Sequence, residues 1–359
     1  MKIGIVTIWD NTNLGNRLQN YALYSILSQK FGCDVVTLHT DPSKKPTVLQ
    51  RIKELIAVKS CIIPEFAERR FGINFVRYSR FKDWNKRIPE ITYYETACIP
   101  TNIDDEFDFF VSGSDQIWNY TLGEERLYNN FLQFASPNKR IAVSASIGLD
   151  HIGEEWQDYY ANCLKEYRAI SVREERAKYV IKVVSGRSSE VISDPVMVLD
   201  AEEWRKVSKK PRIDLNKEYI LVYMLGSVGE ETKKKINNWK TKRNCEVYDV
   251  LDRSVLSLYS SGPAEFLSLI DKAKLVVTDS FHCAAFSIIF STPFVVTNRS
   301  DQLLNMGSRL DTLLNKYHLE DRREERVGDP FICDFDNSKE IIKAEKEKFL
   351  NYIRVSMSI

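Results

Sequence analysis

Short apolar runs alternate with longer stretches of helical period along this chain, and the alternation occurs twice. In the first half, runs near residues 2–8, 33–39, 107–112, 140–146, 169–173 and 190–193 predict strands, with helices near 15–31, 154–168 and 174–184. In the second half, strands are predicted near 219–225, 245–250, 274–278 and 293–297, and helices near 229–243, 263–273, 281–290 and 303–316. Apolar runs of strand length bounded by turn formers suit strands covered on both faces. Their alternation with helical segments marks βα units and parallel sheets, an α/β fold.

The charged stretch Glu202 to Lys217, which carries Pro211, separates the halves and reads as a linker. The expected organisation is an N-terminal domain over 1–200, a C-terminal domain over 218–337 and a closing helix over 338–359. That helix offers Ile341, Ile342, Phe349, Tyr352 and Ile353 as an apolar face that can pack back on the N-terminal domain. Residues 41–95 form an insertion rich in Lys, Arg and aromatics. Its Phe71, Phe75, Tyr78, Phe81 and Trp84 fall at helical spacing and are read as a packing stripe.

A length of 359 residues suffices for two cores. Fifty acidic residues against 51 Lys and Arg leave no global field for nucleic acid, so an anionic ligand must be small and locally bound. The seven Cys are widely spaced, with no C-x-x-C pair and no His at zinc-ligand spacing, so no metal site is expected and the usage is that of a reduced, cytoplasmic protein. The first apolar stretch is too short for a signal sequence. No run reaches the roughly 20 apolar residues of a membrane span.

Ligands of open parallel sheets sit at the carboxyl ends of the strands, and here those ends are polar. After the run 275–278, Ser280 can cap a helix, leaving the N–H groups of Phe281, His282 and Cys283 for an anion; His282 can then bind a phosphate or move a proton. After the first strand, Asn11, Asn13, Asn16 and Gln19 surround Gly15, an inventory suited to hydroxyl groups or, equally, to a polar capping turn. Asp115, Gln116, Trp118 and Asn119 are what a sugar site uses, with Asp115 a possible base; the alternative is an Asx turn with Trp118 in the core. Arg173 ends an apolar strand, placed either for a carboxylate or phosphate or for a salt bridge to Glu174. Asp194-Pro195 is explained by a rigid turn without a ligand. Gly226 and Ser227 line a turn that lacks a phosphate-loop motif, while Arg299 and Arg309 bracket the start of the helix predicted near 303.

In this order the motifs resemble the polysaccharide pyruvyl transferase family. The likeness rests on N-L-G-N-R-L-Q-N-Y-A-L at 13–23, G-S-D-Q-I-W-N at 113–119, S-V-R-E at 171–174, D-P-V at 194–196, D-S-F-H at 279–282 and S-R-L at 308–310. It implies a GT-B-like architecture, two Rossmann-type domains with parallel sheets facing a central cleft. It also implies phosphoenolpyruvate as donor and co-substrate with no further cofactor, and a saccharide acceptor, free or lipid-linked, in a cell-surface polysaccharide or its precursor. Pyruvate would be moved onto two hydroxyls of one sugar as a ketal. Arg173 and His282 match the catalytic and donor positions, joined by Ser280, Phe281, Cys283, Gly226, Ser227 and Arg309. Asp115 and the loop with Asn13, Asn16 and Gln19 match the acceptor side, where Gln116, Trp118 and Asn119 are expected beside them, and the chemistry then asks for His282 as general acid and Asp115 as base. Cys283 stands where many members carry Gly. Such an enzyme is expected in the cytoplasm, meeting a lipid-linked acceptor at the inner face of the membrane by peripheral contact. The rival readings are a nucleotide-sugar glycosyltransferase of the same architecture and a non-catalytic saccharide-binding protein.

Overall fold

The computed structural model of the chain describes residues 1–10, 12–298 and 308–359. Its first half builds one parallel sheet from β1 (Lys2–Val6), β2 (Asp34–Asp41), β3 (Glu90–Tyr94), β4 (Phe109–Ser112), β5 (Arg140–Ala145), β6 (Ala169–Val172) and β7 (Glu190–Val191). The spatial order is β3-β2-β1-β4-β5-β6-β7. Register is set by pairs such as Ile3 with Val35 on one side and with Phe109 on the other. All six residues of β5 are buried, as the apolar composition of a strand covered on both faces requires.

The second half builds a smaller parallel sheet, in the order β11-β10-β8-β9, from β8 (Tyr219–Tyr223), β9 (Glu246–Asp249), β10 (Leu275–Thr278) and β11 (Phe294–Val296). Both are Rossmann-type sheets, and together they make a GT-B-like arrangement. In each, the order reverses at one point, between β1 and β4 and between β8 and β10. Crossover helices leave to opposite faces there, so the carboxyl ends of those strands open a crevice.

The halves share one apolar core. Leu18, Val111 and Val196 belong to the same buried cluster as Phe266, Phe286 and Leu313. Trp204 is fully buried in it. Its ring meets Phe286 edge-on at 4.9 Å and Tyr21 at 5.8 Å, and Nε1 donates to the Val196 carbonyl. The closing helix, Asp336–Met357, lies against the first sheet: Tyr352 donates to the Ala142 carbonyl of β5, and Arg168 donates to the Ser356 carbonyl.

Three regions differ from the sequence-based picture. The first part of the expected linker is a helix, Ala201–Val207, started by a capping box between Asp200 and Glu203 and held by Trp204. The insertion contains three helices, Val48–Ser60, Pro64–Phe71 and Ile73–Asn85, and then β3, which extends the sheet beyond β2. β3 escapes a periodicity reading because all five of its residues are half-buried, as at a sheet edge. The helix after β1 ends at Ser25 and continues as one wide turn over Ile26–Lys30. In the insertion stripe, Phe81 and Trp84 are fully in the core, while Phe71, Phe75 and Tyr78 form a chain of rings towards the surface. Asn11, Arg299 and the first turn of the helix expected from 303 lie outside the described residues.

Replacing Trp204 with Ala is expected to destabilise the protein by about 3–5 kcal/mol, the usual cost of removing a fully buried large aromatic side chain. Denaturant unfolding measures it, with both sheets lost in one transition because their core is shared.

Candidate functional site

The turn after β1 is organised by Asp10. Its carboxylate accepts from the Thr12 and Asn13 amides and from Asn16 Nδ2. Asn13 caps the helix Leu14–Ser25 by accepting from the Gly15 and Asn16 amides. Gly15 is required to be small: a Cβ there would lie 2.3 Å from His282 Nδ1 of the other half. The first turn of this helix therefore packs directly on the imidazole.

After β4 the chain turns sharply. Asp115 adopts φ of +74°, a left-handed conformation that Asp tolerates better than most residues, and its carboxylate accepts from the Gln116 amide and from Arg173 Nη2 at 3.1 Å. Arg173, directly after β6, is the hub. Nη1 donates to Asp194 Oδ2 at 2.7 Å, Nε lies 3.8 Å from Glu174, and the guanidinium sits 4.5 Å from the centre of the Phe281 ring. Asp194 Oδ2 also accepts from Ser114 Oγ at 2.6 Å and lies 3.5 Å from His282 Nε2, an ion-pair distance longer than a well-formed hydrogen bond.

Burial opposes ionisation of both aspartates. For Asp194, His282 and Arg173 overcome it and hold the carboxyl far below the usual carboxylate range. For Asp115, Arg173, then His282 and Arg309, pull the carboxyl down. The same carboxylates raise the Arg173 guanidinium against its own desolvation. The two aspartates and Arg173 are thus held in their ionised forms by one another.

His282 is in the first turn of the helix Phe281–Phe290, capped by Ser280, whose hydroxyl accepts from the Cys283 amide. The amides of Phe281 and His282 are those a helix leaves without intrahelical acceptors. In front of them opens a cleft of about 320 Å³ with contributions from both halves. Asp10, Asn13, Asn16, Asp115, Gln116 and Asn119 face it from one side, and Leu225, Ser280, Phe281, His282 and Arg309 from the other. Arg126 and Asn130 stand on its wall and also border a second cavity of about 230 Å³ beside the stacked Trp9 and His39. With its amide oxygen turned towards it, Gln116 accepts from both Arg309 Nη atoms, at 2.9 and 3.3 Å. Asn119 Oδ1 accepts from Thr121, while its buried Nδ2 has no protein partner among the described residues.

Several expected site residues have surroundings other than those of a ligand contact. Arg173 has no exposed side-chain surface; three carboxylates surround it, so its surroundings are those of a structural hub rather than of a guanidinium open to an anion. Asp115 lines the cleft, but its depressed carboxyl makes it a weak proton acceptor. Trp118 is fully buried and stacked on Phe131, with Nε1 donating to the Asn130 carbonyl. Gln19 is buried too, donating to Thr7 Oγ1. The Gly226 amide donates to Asp279 beside that of Leu225. Neither Gly226 nor Ser227 borders the cleft, and neither does Cys283, a buried thiol that desolvation pushes up to about 12. Conversely, Asp194 is more than a turn residue, and the cleft also takes in Asp10, Arg126 and Asn130. Asp194 stood in a recognisable motif, whereas Arg126 and Asn130 lie in a polar stretch without a distinguishing pattern.

The family model for polysaccharide pyruvyl transferase matches residues 13–301. No curated protein matches the sequence at a significant level. Among solved structures, Anabaena HepE in complex with UDP and glucose is similar with 9% identity, a TM-score of 0.49 and coverage of 100% of this chain and 99% of that one. The UDP-GlcNAc 2-epimerase from Neisseria meningitidis bound to UDP-GlcNAc is similar with 10% identity, a TM-score of 0.42 and coverage of 100% and 93%.

Asp194→Asn is expected to destabilise the protein by about 3 kcal/mol near neutral pH, because it removes the closest charged partner of a fully buried guanidinium. A carboxyl depressed in the folded state contributes stability above its unfolded pKa of about 3.9, and the contribution is lost as pH falls towards the folded value. Unfolding measured between neutral and acid pH should therefore show wild type losing stability below about pH 4, and the variant losing less over the same interval.

Proposed function

The chain belongs to the polysaccharide pyruvyl transferase family, and on that premise we propose that it transfers pyruvate from phosphoenolpyruvate onto two hydroxyls of one sugar residue, forming a ketal. The observation that carries this reading is the meeting of two unlike walls in one cleft. One wall has a histidine at a helix N-terminus beside Ser280 and Arg309; the other has Asp10, Asn13, Asn16 and Asn119. The first suits a small, multiply charged anion, since helix amides and a guanidinium both favour phosphate and carboxylate oxygens. The second suits neutral hydroxyls, which need amide donors and carboxylate acceptors.

The reaction joins one phosphoenolpyruvate and one diol and releases phosphate. Protonation of the methylene carbon makes a methyl group and leaves the central carbon electron-poor. The first sugar hydroxyl bonds to that carbon, the carbon–oxygen bond to phosphate breaks, and the departing phosphate carries away the first hydroxyl's proton. The second hydroxyl bonds to the same carbon, and its proton restores the general acid. His282 is that acid, oriented by Asp194 at Nε2 and by the Gly15 turn at Nδ1. Arg309 and the first-turn amides hold the phosphate. Arg173 acts through others, fixing Asp194 and Asp115 in place. Asp115 accepts a hydrogen bond from the acceptor rather than its proton.

Phosphoenolpyruvate is expected to raise the melting temperature where UDP-sugars do not. Mass spectrometry of a candidate oligosaccharide incubated with protein and phosphoenolpyruvate is expected to find a pyruvate adduct. His282→Ala should lower turnover about 10²–10⁴-fold with the fold retained, read by an unchanged circular-dichroism spectrum. Stabilisation by a UDP-sugar alone would replace the proposal with nucleotide-sugar transfer, and sugar binding with no adduct from any donor would leave a binding protein.

A further inference from the structure

The insertion carries a surface unlike the rest of the molecule. Of seventeen exposed large apolar side chains among the described residues, nine lie between positions 48 and 71. Val48, Leu49, Ile52, Leu55 and Ile56 repeat at the spacing of one helical face, yet the helix Val48–Ser60 has no buried residue. Ile62, Ile63 and Phe66 follow at once, and these eight side chains are between 47% and 75% exposed. The helix is docked by its opposite side. Glu54 accepts from Tyr78 and pairs with Lys82, and Cys61, just past its end, packs with Ala67 and Val76. The apolar face is therefore not needed to hold the helix on the protein.

Scattered apolar side chains on a surface are ordinary, but a continuous helical face with two charged flanks is not. Arg51 and Lys53 flank the stripe on either side at helical spacing, and Lys59 stands at its last turn. Residues 44–70 carry seven Lys and Arg against three Glu, a net of +4 in a chain whose total is +1. An apolar stripe rimmed by cations matches an anionic lipid surface, where the apolar residues enter the acyl boundary and the cations meet headgroup phosphates. A symmetric contact with a second copy would instead set the basic flanks against each other.

We propose that the helix Val48–Ser60 and the turn to Phe66 dock this protein on an anionic membrane surface. No helix among the described residues is long and apolar enough to cross a membrane, so the contact is peripheral. The docking element is tied to the cleft through the helix Ile73–Asn85. Arg77 in that helix donates to the carbonyl of Thr12, in the Asp10 turn, and to that of Tyr259 in the second half. On the proposed function, the acceptor would be a lipid-linked saccharide carried by the same membrane. That corollary rests on the proposed function, whereas the docking does not.

Sedimentation of the full chain with phosphatidylcholine vesicles, with and without phosphatidylglycerol, reads the docking without any assay of catalysis. Binding is expected with phosphatidylglycerol, weakened by salt. Ile52→Glu with Ile56→Glu should reduce it about tenfold, and Lys53→Ala with Lys59→Ala should remove the preference for the anionic lipid; unchanged melting temperatures exclude unfolding. Equal sedimentation with both vesicles, variants that bind like wild type, or a wild-type dimer that the Glu variant converts to monomer would each overturn the proposal. Loss of transfer chemistry with vesicle binding intact would sink only the functional reading.

Discussion

The Arg173 guanidinium and the Asp194 carboxylate, both without exposed side-chain surface and 2.7 Å apart, are the contact on which the cleft depends. Taking two charges out of water is costly, and only close, well-directed bonding offsets it. Here the offset comes from several partners at once: Asp115, Glu174 and Ser114 join the pair, and Phe281 lays its ring against the guanidinium. Removing the guanidinium would strand three carboxylates, which makes the arrangement rigid. That rigidity is useful because the cluster ties the carboxyl ends of β4 and β6 and the turn after β7 to the helix that begins with Phe281.

Geometry at the cleft follows from this anchor. Asp194 faces one imidazole nitrogen of His282, and the closely packed Gly15 turn faces the other, so the ring is held between the two halves. Glu174 extends the order outward, accepting from Ser146 Oγ and from the Ile147 and Gly148 amides, which fixes the loop after β5. The residues that remain turned to the cleft are mostly side-chain amides on one side and Arg309, His282 and helix amides on the other. A site built this way separates positioning from contact: the strongest electrostatics lie behind the surface and the adaptable polar groups lie on it.

The insertion serves the same site from outside. Its helix Ile73–Asn85 sends Phe81 and Trp84 into the shared core and Arg77 to the turn after β1, while Val48–Ser60 keeps its apolar residues on the surface. One segment therefore supplies both a brace for the cleft and a face without an internal partner. The closing helix works similarly at the opposite end of the chain, returning to β5 through Tyr352 and to Ser193 through Glu345.

Much of this was legible in the chain itself. Apolar runs separated by helical segments dictated two parallel sheets, because period and length are local properties, and the Ser280 cap with His282 behind it followed from local chemistry alone. The ordered motifs pointed to the family. What periodicity could not distinguish was the direction in which polar groups point. Trp118 and Gln19 had the right composition for a sugar site and were claimed by the core, and Arg173 had the right position for an anion and was claimed by carboxylates. Those carboxylates come from residues 115, 174 and 194, and the histidine beside them from residue 282. Apart from the adjacent Glu174, only the folded sheets bring these groups within bonding distance, because the cost of burying Arg173 is met largely by partners far away in sequence.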